Sequence, residues 1–180
     1  METVITGGVF KGRRLILPKG SDVRPTMGFV REAIFNIIGE KVLDAEFLDL
    51  FAGFGTVGIE ALSRGARFVS FVERNPRYSY VISENLKRLE SSNFKIYTMS
   101  VDTFIINSSD RYDIIFLDPP YILGDLNGIM EKIFNKGLLA SGGIIIWEAF
   151  AKNLIIEDRR FNIIKEKIYG DTRLIFIKGD

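Results

Sequence analysis

The sequence predicts an α/β protein: a mainly parallel sheet of seven strands, helices on both faces and an antiparallel hairpin at one edge. Three observations predict it. Short apolar runs alternate with helix-like segments from residue 46 to residue 148. A glycine-rich turn, Gly53-Phe54-Gly55, follows the first of those runs and opens a helix. The last two runs, 161–165 and 173–178, are joined through the turn Tyr169-Gly170-Asp171 with no long helix between them.

The elements follow in order. Residues 1–25 read as a small β-extension that cannot bury a core alone: Gly7-Gly8 and Pro18-Lys19-Gly20-Ser21 are turns around a short strand at 13–17. The remaining residues, 26–180, form the main domain. Thr26 is positioned to cap a helix that runs to Ile38 and stops at Gly39, with Phe29, Val30, Ala33, Ile34, Ile37 and Ile38 on its apolar face and Arg31 off it. A strand at 46–51, a helix at 57–64 and a strand at 68–73 come next. A helix at 76–89 carries Pro76 in its first turn. Strands at 94–98 and 112–117, a helix at 125–135 and a strand at 143–148 complete the alternation.

Composition excludes several chemistries. With 180 residues and 47% hydrophobic content the chain is about one folded domain. No apolar run approaches the ~20 residues that span a bilayer. The N-terminus has no signal-peptide pattern, so a cytoplasmic protein is expected. There are no cysteines and no histidines. Thiolate or imidazole metal sites, cysteine nucleophiles and Ser-His-Asp catalysis are therefore excluded, and no metal is expected. The net charge of +1 conceals a basic segment, 9–31, with six cations (Lys11, Arg13, Arg14, Lys19, Arg24, Arg31) against Asp22. Such a segment can meet a polyanion, or simply form a solvated face.

Two motifs carry chemistry. In Asp49-Leu50-Phe51-Ala52-Gly53-Phe54-Gly55, the glycines let the backbone turn tightly and approach a ligand, with a helix N-terminus behind them. Glu73, eighteen residues after Gly55 and followed by Arg74, ends the next strand, where an acid can accept both hydroxyl hydrogens of a ribose. Gly53, Gly55 and Gly58 also satisfy a dinucleotide fingerprint, so a nicotinamide enzyme is one reading. Asp49 argues against it: a carboxylate there repels a pyrophosphate but suits an ammonium. Asp102, with Thr103 beside it, follows the 94–98 strand and either reaches an adenine amino group or caps a helix.

The second motif, Asp118-Pro119-Pro120-Tyr121, follows the apolar run 112–117. The prolines stiffen the backbone and remove two N–H donors. The Asp118 carboxylate and the Pro119 carbonyl are left as acceptors, and Tyr121 adds a stacking face, a set that suits an exocyclic amine on a planar base. A Pro-Pro turn after a strand uses the same residue types. The glycine loop, Glu73 and this motif in that order favour the ligand reading.

On these residues the chain resembles the class I S-adenosylmethionine-dependent methyltransferases, with their Rossmann-like fold. More narrowly, it resembles the bacterial family that methylates N2 of a guanine in 16S ribosomal RNA. The resemblance runs through Gly12-Arg13-Arg14-Leu15, Arg24-Pro25-Thr26, Val30-Arg31-Glu32-Ala33-Ile34-Phe35-Asn36, the segment 58–66, Glu73, Asp118-Pro119-Pro120-Tyr121, Glu148 and Tyr169-Gly170. Two positions depart from the family pattern: Phe54 replaces a small hydroxyl residue, and Met27-Gly28-Phe29 replaces polar and basic residues.

The resemblance implies S-adenosylmethionine bound by Asp49, Phe51, Gly53, Gly55, Glu73, Arg74, Asp102 and Thr103. It implies a catalytic Asp118, Pro119, Pro120 and Tyr121, and RNA contacts by Arg13, Arg14, Arg24, Thr26 and Arg31. The implied partner is 16S rRNA or the assembling small ribosomal subunit, met by a monomer. A DNA adenine-N6 methyltransferase shares the same acceptor motif and stays an alternative.

Overall fold

The computed structural model describes residues 3–18, 25–119, 126–152 and 161–179. Strands β1 (Thr3–Val4) and β2 (Arg14–Leu15) pair antiparallel, with Thr3 opposite Leu15. This N-terminal arm is stitched to the main body. The Val9 and Phe10 N–H groups donate to the carbonyl and hydroxyl of Ser63, and Ile16 exchanges two hydrogen bonds with the Asn85 side chain. Ile5 and Leu15 are buried in the same core as the helices beneath them.

Helix α1 (Gly28–Ile38) begins two residues after Thr26, and Gly39 ends it at φ 57°. Thr26 does not cap it; Met27 holds the cap position without a side-chain hydrogen bond. The buried stripe is Val30, Arg31, Ile34, Phe35 and Ile38. Position 31 lies three residues before Ile34 and four before Phe35, so it belongs to the inward face by helical period. Phe29, expected inside, is 51% exposed.

The alternating region follows as β3 (Glu46–Leu50), α2 (Thr56–Ser63), β4 (Phe68–Val72), α3 (Pro76–Arg88), β5 (Phe94–Tyr97), α4 (Val101–Asn107), β6 (Tyr112–Leu117), α5 (Leu126–Lys136) and β7 (Leu139–Phe150). The chain closes with the hairpin β8 (Asn162–Tyr169) and β9 (Thr172–Lys178). The helix that Asp102 was one candidate to cap is α4, and its cap is the Ser100 hydroxyl, which accepts from the Thr103 N–H. Strand β7 runs well beyond the expected 143–148, because Gly142-Gly143 reads as a turn yet lies within the strand.

The sheet order is β5-β4-β3-β6-β7-β9-β8. The first five strands are parallel, and β9 lies antiparallel between β7 and β8. Helices α1, α2 and α3 and the arm cover one face, while α4 and α5 cover the other. Alternation of side chains divides each strand between the two layers: Phe47, Phe116 and Ile146 join the first, Leu48, Ile115 and Ile145 the second. This is the class I methyltransferase fold. Strand order reverses about β3, so the carboxyl ends of β3 and β6 flank the crevice where such sheets bind ligands.

Candidate active site

The loop after β3 is set by backbone conformation. Phe51, Gly53 and Gly55 all have positive φ (60°, 55° and 71°), which only glycine adopts without strain. Gly55 also stands close to α3: a Cβ there would meet Ile82 at 3.0 Å. Gly58 has a different reason to be glycine. A Cβ on it would lie 2.3 Å from the Phe71 ring, so its absence lets α2 settle on β4.

The amides of this loop are already committed to carboxylates. The Gly58 N–H, in the first turn of α2, donates to Asp49 Oδ2 at 2.9 Å. Asp49 thus does from the strand the capping that Gly55 cannot do. The Gly53 N–H donates to Glu73 Oε2 at 2.8 Å, and the Asn75 N–H to Glu73 Oε1 at 2.7 Å. Asp49 is buried, and burial pushes its carboxyl up to about 7. Burial raises Glu73 too, against the lowering effect of the Asn75 and Gly53 amides and the adjacent Arg74. Arg74 itself is exposed. Asp102 lies at the start of α4, where it pairs with Lys132 Nζ at 2.6 Å, and Thr103 bonds to Ser100. Ser100, not Asp102, is the helix cap. Phe54 is turned into the protein, edge-on to Tyr78 of α3 with ring centroids 4.9 Å apart.

Asp118 and Pro119 leave the end of β6, both half-buried. Pro120, Tyr121 and Arg24 lie outside the described residues. Burial, then the charges of Glu148 and Asp49, hold the Asp118 carboxyl well above the usual range. Glu148 is the site residue that motif reasoning passed over. It ends the apolar run of β7 just as Glu73 ends that of β4, and that shared pattern was the available signal. The Thr26 hydroxyl donates to Glu148 Oε2 at 2.9 Å. Burial raises Glu148 as well, opposed by the Thr26 bond and the Arg31 charge.

Four acids thus gather at the carboxyl ends of β3, β4, β6 and β7, two of them bonded to the Gly53 and Gly58 amides. The chain matches the family described as Conserved hypothetical protein 95 over residues 3–178. It belongs to that family. It is 32% identical over 169 residues to Ribosomal RNA small subunit methyltransferase D of Escherichia coli K12, covering 93% of this chain and 85% of that one. Its identity to the protein of the same name from Buchnera aphidicola of Acyrthosiphon pisum is 31% over 165 residues, with 91% and 86% covered. The solved structure of yhhF from Escherichia coli superposes with a TM-score of 0.90 at 28% identity, covering 100% of this chain and 99% of that one.

Within this family member the expected RNA contacts divide. Arg13 and Arg14 are exposed on the arm, and Arg13 Nη2 donates to the Arg88 carbonyl at 2.8 Å. Arg31 is a correction: its side chain has no exposed surface and faces inward. Its guanidinium donates to Glu60 Oε2 (3.1 Å), the Thr26 carbonyl (2.5 Å) and the Val4 carbonyl (2.6 Å). Glu60, also fully buried, takes further bonds from Arg64 Nε and Nη2 and from the Thr6 N–H and hydroxyl. A buried carboxylate must be paired, and Arg31 and Arg64 pair it. The same knot fastens β1 to α1 and α2. Thr26 is likewise buried and bound to Glu148.

Proposed function

We propose that this chain transfers the methyl group of S-adenosylmethionine to the exocyclic N2 of a guanine in 16S rRNA. The fold and family are those of methyltransferases, and relatives covering most of their own length carry ribosomal RNA small subunit methyltransferase names. The observation that carries the reading is the Asp118 carboxylate. It stands half-buried at the end of β6, and no backbone amide, hydroxyl or cation of the described residues donates to it. It is therefore available to accept from a substrate N–H.

The residues present fit the methyl donor better than a dinucleotide. A pyrophosphate would need the loop amides that Glu73 and Asp49 already hold, and would face two carboxylates. An ammonium next to Asp49 and a ribose at Glu73 meet complementary charge and acceptors. Bound there, the donor supplies an electrophilic methyl group. Asp118 and the Pro119 carbonyl accept the two N–H groups of the base, which localises the nitrogen lone pair. Tyr121 stacks on the ring and aligns it. Arg13, Arg14 and Arg24 contact phosphates. The substrate is 16S rRNA or the assembling small subunit, and the protein works as a cytoplasmic monomer without a metal. Among the described residues no helix is long and apolar enough to cross a membrane, and no acidic group of three or more is arranged to hold a metal.

The test is incubation with labelled S-adenosylmethionine and unmodified small-subunit RNA or particles, followed by digestion to nucleosides. Label in N2-methylguanosine is expected. Label in N6-methyladenosine, or none in RNA, refutes the proposal.

A further inference from the structure

We propose that Glu148, oriented by the Thr26 hydroxyl, holds one proton in common with Asp118 and is the positioning residue that readies Asp118 to take the proton of the substrate amine. The inference rests on the proposed function for the identity of that amine, but not for the shared proton.

Strand register places the two acids together. In the parallel pair β6–β7, Leu117 stands opposite Trp147. Asp118 follows Leu117 directly and Glu148 follows Trp147, so the two acids leave the last paired position at the same level. Glu148 shares the face of Ile146, two residues earlier, and alternation carried one residue past β6 from Phe116 assigns Asp118 to the same face. Asp49 lies on that face of β3, two residues deeper, opposite Phe116.

What covers the pair supplies little compensation. From the segment before α1, Thr26 gives one hydroxyl hydrogen to Glu148 Oε2. From α1, Arg31 is the nearby cation, but its donors are spent on Glu60 and on the Thr26 and Val4 carbonyls. On the far side of β7, β9 presents Leu174 opposite Glu148. The charged groups facing the pair among the described residues are therefore Asp49 and Arg31. Two half-buried carboxylates side by side with no bonded cation do not readily both ionise; they titrate as a unit. Burial displaces both upward, and the Glu148 charge adds to the rise at Asp118.

The Thr26 bond occupies one Glu148 oxygen and leaves the other for the proton directed to Asp118. Burial keeps Asp118 more basic than a solvated carboxylate, and the proton on Glu148 leaves Asp118 as the ionised acceptor of the pair. When the nitrogen lone pair forms the new N–C bond, the C–S bond breaks and its electron pair stays on sulfur. The N–H proton passes to Asp118, and the N–H electron pair returns to nitrogen. The acid pair now holds two protons and releases one to water after the product leaves.

Infrared titration of the full chain, over roughly pH 5 to 9, reads the pair without any RNA. In the wild type a protonated-carboxyl band should persist towards neutral pH. Glu148→Gln and Asp118→Asn should each move the surviving partner's titration downward by about one unit or more. In methyl transfer, Glu148→Gln should lower kcat about tenfold and remove the limb at which the pair loses its shared proton, with the donor's KM unchanged. A residue that only supports the fold would move the melting temperature and leave that limb where it was. Thr26→Val should reproduce part of the loss and Thr26→Ser should restore it. Independent titration of the two acids overturns the inference, whether or not RNA is methylated. Coupled titration in a chain that methylates no RNA supports the shared proton and refutes the proposed function instead.

Discussion

Replacing Arg31 with methionine keeps most of the side-chain volume and removes the charge. The buried Glu60 is then left with Arg64 and Thr6, and the Thr26 and Val4 carbonyls lose their charged donor. Breaking a buried ion pair from one side costs about 3–5 kcal/mol. Each carbonyl left unsatisfied adds about 1–3 kcal/mol, though neighbouring losses do not add fully. About 4 kcal/mol is therefore expected, against a typical total stability of about 5–15 kcal/mol. For a chain of this size that corresponds to a fall of about 8–16 °C in Tm. Urea unfolding measures it as a lower midpoint at unchanged slope. Hydrogen exchange at Val4–Thr6 should rise as well, since the knot anchors the arm. The exposed Arg13→Ala should change stability by less than about 1 kcal/mol. A loss below about 1 kcal/mol for Arg31→Met, with a shallower salt dependence of RNA binding, would return Arg31 to the RNA surface and refute the reasoning.

Gly58→Ala should destabilise by about 1–3 kcal/mol through collision with the Phe71 ring, read as a lower urea midpoint. Asp49 keeps its proton in the folded chain at pH values where the unfolded chain, at 3.8, has lost it. Stability should therefore fall as pH rises from about 4 to about 7, by at most about 4 kcal/mol from this group. Urea midpoints of Asp49→Asn should be flatter across that window than those of the wild type. Arg13→Ala should weaken RNA binding and reduce the slope of log affinity against log salt by about one unit, measured at several salt concentrations.

Much of the sheet was legible because a parallel strand buried on both faces is a short apolar run. The run 112–117 coincides with β6, and Gly39 ends α1 where a positive φ is needed. The glycine loop and the acids at strand ends were legible for the same reason: polar residues stand out against apolar runs. Arg31 was misread because charge outweighed period; its neighbours at i+3 and i+4 mark it as inward, but its carboxylate partner comes from a helix 29 residues away. Thr26 was misread as a cap for a related reason. A hydroxyl before a helix normally bonds locally, and here a buried acid 122 residues along the chain takes it. The Asp118–Glu148 pair was hidden because strand register, not sequence spacing, makes them neighbours.

Methyl transfer by Asp118→Ala, measured beside donor affinity, bears most directly on what holds the reacting nitrogen. With small-subunit RNA and saturating S-adenosylmethionine, turnover should drop by about a hundredfold or more while the donor Kd stays within about twofold. Turnover near the wild-type rate would mean that another group grips the base, and would contradict the account.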